Sequence, residues 1–79
     1  MLDVLLDCFN EQLIAIAEYG LDLEKEYVEH TINAWIGVLE DKAGLEASHI
    51  ASALNENIVP NCQSNAIHSI LTNIIDDLH

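Results

Sequence analysis

Leu2, Leu6, Phe9, Leu13 and Ile16 recur at steps of four and three, the spacing of one face of an α-helix. The pattern predicts a first helix over residues 2–19, closed by Gly20, which accepts the left-handed backbone that ends many helices. A second apolar face reads Val28, Ile32, Trp35, Ile36 and Leu39 and stops at Gly44. Asp22 is its expected N-cap, with Glu24 and Glu26 near the positive end of the helix dipole. A shorter third helix is expected over 45–57, turning Ala47, Ile50, Ala51 and Leu54 inward, with Ile58 following. Pro60 interrupts, because the residue before a proline avoids helical backbone. Asn61 is then the expected cap of a fourth helix to about residue 78, carrying Ile67, Ile70, Leu71, Ile74, Ile75 and Leu78. No strand pattern, repeat or low-complexity tract is present. The expected fold is all-α, a single small bundle of about four helices in which residues 1–79 form one acidic helical domain.

Length changes the picture by limiting the core. A 79-residue chain has room for one core, yet 51% of its residues are apolar. That excess predicts self-association. The fourth helix has the densest apolar stripe, so Ile67, Ile70, Leu71, Ile74, Ile75 and Leu78 are expected to form both core and a homodimer interface.

Charge then narrows the function. Fourteen Asp and Glu stand against two Lys and no Arg, a formal net of −12. Phosphate contacts need cationic side chains, so direct nucleic-acid binding is excluded, as is attraction to anionic lipid. Residues 57–75 carry no formal charge but hold Pro60, four Asn, Gln63, two Ser and His68, too polar to span a bilayer. The start, Met1-Leu2-Asp3-Val4, meets acid at once and reads as no secretory signal, so a cytoplasmic location in a bacterium or its phage is expected. Cys8 and Cys62 make neither a CxxC pair nor a disulfide framework.

The acids are unevenly placed. Residues 1–46 hold eleven of the fourteen together with both lysines. Asp3, Asp7 and Glu11 follow one another at i,i+4 and Glu18 extends their stripe; neighbouring like charges there oppose helix formation by about 0.2–0.5 kcal/mol each. A solvated helix face explains such a stripe blandly; a docking ridge for a basic partner explains it functionally. Glu24, Glu26 and Glu29 have a dipole-based reason at the start of the second helix, whereas Glu40 and Asp41 near its end do not. Tyr19 and Tyr27 border these clusters and suit an interface. Trp35 is expected to anchor the core, with an interface role as the alternative.

Catalysis and metal binding find little support. His30, His49, His68 and His79 with the two cysteines show no HxxxH, HExxH or CxxC spacing, so no metal site and no cofactor are expected. The chain has no glycine-rich phosphate loop and little cationic chemistry to steady an anionic transition state, so no catalytic residue is assigned and no enzyme activity is expected.

Leu2-Asp3-Val4-Leu5-Leu6 followed by Phe9 resembles the LDVLLxxF run of the acidic, helical immunity proteins of nuclease colicins, over about one tenth of the chain. The toxin-contacting aspartate and paired-tyrosine segment of that family have no counterpart here, and Asp22-Leu23-Glu24 with Tyr27 does not replace them. The resemblance therefore implies a class, small acidic all-helical inhibitors of basic nuclease toxins, and transfers no binding residue. Together with the charge pattern it leads to an expected acidic protein-binding inhibitor. Such an immunity protein would occlude the basic surface of a cationic toxin, a ribonuclease or deoxyribonuclease, through Asp3, Asp7, Glu11, Glu18, Tyr19, Glu24, Glu26, Tyr27, Glu29, Glu40 and Asp41. Two alternatives are a small secretion or assembly chaperone that holds a client helix on an apolar fourth-helix groove, and a phage-encoded nucleic-acid mimic.

Overall fold

The computed structural model describes residues 1–78. Four helices, α1 (Leu2–Glu18), α2 (Lys25–Ala43), α3 (Ala47–Asn57) and α4 (Asn65–Leu78), account for most of them, and no strand occurs among the described residues. Single 3-10 turns, Leu21–Leu23 and Val59–Asn61, sit in the α1–α2 and α3–α4 connections. Both predicted glycine stops hold: Gly20 and Gly44 adopt φ of +74° and +64°. At Gly44, its own N–H and that of Leu45 donate back to the Leu39 carbonyl, turning the chain out of α2.

α1 and α2 form an antiparallel hairpin. Trp35 of α2 stacks on Phe9 of α1 with ring centroids 5.6 Å apart and planes 11° from parallel, and its Nε1 donates to Gln12 Oε1 at 2.9 Å. α4 packs on both α2 and α3, closing the molecule around one core. The Cα radius of gyration is 11.4 Å, matching the value of about 11.6 Å that size scaling gives for a single packed domain of this length.

The apolar faces read from the sequence form the core, apart from Ala47, which is exposed. Leu6, Phe9, Leu13 and Ile16 meet Val28, Ile32, Ile36 and Leu39, and Ile50, Ala51, Leu54 and Ile58 complete it with α4. Trp35 is half-buried at the edge, covering Phe9, so it anchors the core from its rim. Thr31 is the one buried polar residue among those described, and no buried side-chain nitrogen or oxygen lacks a partner.

Two caps differ from the sequence expectation, and one contact explains both. Asp22 does not cap α2, which begins three residues later; it lies in the first 3-10 turn and its Oδ2 accepts a hydrogen bond from Ser64 Oγ at 2.8 Å. Asn61 does not cap α4; its amide donates to the Asn57 carbonyl at 2.8 Å, closing the end of α3. The cap of α4 is Ser64, whose Oγ accepts from Ile67 N–H at 3.3 Å while its carbonyl accepts from His68 N–H at 2.9 Å. Asn and Ser cap equally well, so local sequence ranks neither; the distant Asp22 carboxylate selects Ser64. Ser64→Ala removes the cap and the 42-residue-long tether together. It is expected to cost about 1–2 kcal/mol, read as a fall of roughly 5–15 °C in the calorimetric Tm.

The homodimer stripe expected on α4 is corrected. Ile67, Ile70, Leu71 and Ile75 are buried within the chain's own core, and Ile74 and Leu78 lean half-buried against it. The four buried side chains are core rather than contact surface, while Ile74 and Leu78 stay partly open. The apolar excess that motivated a dimer is mostly absorbed by α4 packing onto two helices at once.

Candidate functional site

The acidic side chains assigned to a partner surface lie on the outside of this hairpin. Asp3, Asp7, Glu11, Glu18, Glu24, Glu26, Glu40 and Asp41 are exposed and Glu29 is half-buried. A helix rises 1.5 Å per residue, so antiparallel pairing sorts these acids by end. Asp3 and Asp7 at the start of α1 share an end of the hairpin with Glu40 and Asp41, whereas Glu18 shares the other end with Glu24, Glu26 and Glu29. Across the hairpin they gather at two ends, with the exposed Glu11 between them midway along α1. Among the described residues a single ion pair forms, Lys25 Nζ to Glu29 at 3.8 Å, exposed and on adjacent turns of α2. Lys42 lies in the last turn of α2, where its charge suits the helix dipole. The carboxylates of α1 form no ion pair among the described residues.

Apolar side chains stand out among the acids at the α1–α2 corner. Tyr19 is 80% exposed and Leu23 81% exposed, with Leu21 and Tyr27 also on the surface. Tyr19 and Tyr27 were expected there; Leu21 and Leu23 were not singled out. The signal for them is the alternation Leu21-Asp22-Leu23-Glu24 after Gly20, which matches no helix face and so has no core to enter. Val4 and Ile14 of α1 are likewise exposed and were missed, since both lie off the buried stripe of Leu6, Phe9, Leu13 and Ile16.

One flank of α1 borders two adjoining hollows. The first, about 210 Å³, is lined by Leu13, Ile14, Ala17 and Glu18 of α1 and by the segment 61–64 with Ile67. The second, about 180 Å³, is polar, with Asp3, Asp7 and Asn10 facing Asn57 and Asn61. Asn10 and Asn61 line both, so the hollows run end to end along α1. Asn10 fixes the junction: its Nδ2 donates to the Asn57 carbonyl at 3.0 Å, joining α1 to the end of α3. Glu11 lines neither hollow.

Cys62 lies in the wall of the first hollow, half-buried, and its thiol donates to the Ser64 carbonyl at 3.4 Å. Burial pushes the Cys62 thiol above its ordinary pKa, because the thiolate loses hydration there. Cys8 is exposed. At pH 8 iodoacetamide is therefore expected to label Cys8 first and Cys62 distinctly more slowly, as read by peptide mass mapping, since only the thiolate attacks.

No group of three or more His, Cys, Asp or Glu residues is disposed to hold a metal ion among the described residues; His79 lies outside them. No described helix is long and apolar enough to cross a membrane. Most of the α4 stripe that a chaperone groove would need, Ile67, Ile70, Leu71 and Ile75, is inside the core, whereas the acidic α1 face is exposed. No family model, curated protein or solved structure matches this chain.

Proposed function

We propose that this chain is an acidic protein-binding inhibitor, an immunity protein that neutralises a cationic, nuclease-type bacterial toxin by covering its basic surface. The observation that carries this reading is the exposed run of Asp3, Asp7, Glu11 and Glu18 along α1, four carboxylates with no ion-pair partner among the described residues. Like charges on successive turns cost stability, and a partner that neutralises them recovers it. A surface that cleaves RNA or DNA presents Lys and Arg to phosphates, and a rigid ridge of carboxylates offers the same charge in the same kind of spacing. Steering by a net charge of −12 speeds the encounter. The exposed Tyr19, Leu23 and Tyr27 supply the apolar contact that charge alone lacks. A nucleic-acid mimic acting on host machinery rests on the same physics and differs only in its target.

The experiment is capture of partners from the native host at low ionic strength, elution with rising salt, and assay of each released protein for nuclease activity with and without the purified chain. A basic nuclease released by salt and inhibited by the chain supports the proposal. Partners that resist salt, or a released nuclease whose activity is unchanged, overturn it.

A further inference from the structure

The hollows along α1 define what kind of segment its flank receives. Their linings contain three carboxylates, Asp3, Asp7 and Glu18, and no lysine, since Lys25 and Lys42 both belong to α2. One half is apolar, with Ile14 45% exposed at its lip and Leu13, Ala17 and Ile67 behind it. The other half is polar and acidic.

We infer that this groove docks an amphipathic basic helix of the protein partner, seating one Leu- or Met-type side chain against Ile14 and one Lys or Arg at Asp7. The assignment rests on the inhibitor reading and specifies the partner of that same acidic face. Asp7 and Ile14 are seven residues apart, two turns of α1, or about 10 Å along its axis. A helix lying alongside α1 repeats that rise, so its residues i and i+7 fall on one face and reach both hollows together. An extended strand places same-face side chains about 6.6 or 13 Å apart and matches neither separation. Charge complementarity sets the sign: the cation meets Asp7 at one end and Glu18 attracts flanking basic residues at the other.

The test uses the full chain and two synthetic 16-residue helical peptides of equal positive charge. One carries a leucine seven positions from an arginine; in the other that leucine is serine. Binding is followed at low salt by amide chemical shifts of the labelled protein and by protection of Cys62 from iodoacetamide, with the exposed Cys8 as internal control. The expected result is that the leucine peptide shifts residues lining both hollows and slows labelling of Cys62 but not of Cys8. The serine peptide should bind at least roughly tenfold more weakly, the effect of losing one buried apolar side chain. Ile14→Ser, at an exposed position, should weaken the leucine peptide similarly and leave the serine peptide unchanged. Asp7→Asn should weaken both, and far-ultraviolet circular dichroism checks that each variant is folded. Equal binding of the two peptides, spread over the acidic ends of α1 and α2, would overturn the groove while leaving the electrostatic inhibitor reading intact. No association of either peptide at low salt would overturn both.

Discussion

Phe9→Ala is expected to leave the chain barely folded at room temperature. Phe9 is 0% exposed and stacks on Trp35, so truncation opens a cavity in the middle of the α1–α2 hairpin and removes the surface on which the indole lies. Replacing a buried phenylalanine by alanine costs about 3–5 kcal/mol, and the stacked pair adds roughly 0.5–1.5 kcal/mol. A domain of this size has about 4–12 kcal/mol in total. The loss is therefore comparable with the whole stability at the lower end of that range. Urea titration followed by Trp35 fluorescence reads it directly, because the indole sits on Phe9 and bonds to Gln12 only in the folded hairpin. A midpoint within experimental error of the parent would show that the α1–α2 contact does not hold the core. Phe9→Leu, which keeps most of the volume, is expected to cost less than half as much.

The second large effect separates stability from function. Reversing Asp3, Asp7 and Glu11 to lysine replaces three negative charges of α1 with three positive ones while touching no buried side chain, since all three are exposed. Binding to a cationic partner is expected to fall by roughly 100- to 1000-fold, the effect of about 1 kcal/mol or more at each of three positions. The loss should appear mainly in the association rate and shrink as salt is raised. The effect on folding depends on position. Lysine at 7 and 11 meets Glu18 and the remaining acidic field favourably, whereas lysine at 3 loses the helix-dipole benefit that Asp3 has in the first turn. The single variant Asp7→Lys therefore isolates the exchange. It relieves two like-charge neighbours and is expected to raise Tm by a few degrees while weakening partner binding. Equal partner affinity in the triple variant would remove α1 from the interface.

The same separation shows which parts of this molecule were legible along the chain. Helix faces were legible because burial follows the 3.6-residue period: every buried side chain of α1, Leu6, Phe9, Leu13 and Ile16, lies on the stripe the spacing predicts. Helix ends at Gly20 and Gly44 were legible because positive φ strongly favours glycine. The caps at Asp22 and Asn61 were not, because several polar residues near each helix start cap with similar strength and the choice fell to a contact between residues 22 and 64. The use of α4 was also hidden. Its stripe states that one face is apolar, and only tertiary packing decides whether another helix of the same chain or a second copy covers it.

For the candidate site, the sequence by itself determined the sign of the surface, since a net charge of −12 with two lysines holds whatever the fold. It also placed Asp3, Asp7 and Glu18 on one side of a helix. Tertiary structure alone decided that the flank of α1 meets the segment 61–64 and the end of α3, so that a charged stripe became one wall of a groove with an apolar end and an acidic end. The physical reason is range. Periodicity and charge are properties of neighbouring residues, whereas a groove is made by side chains some fifty positions apart, brought together only when the core closes.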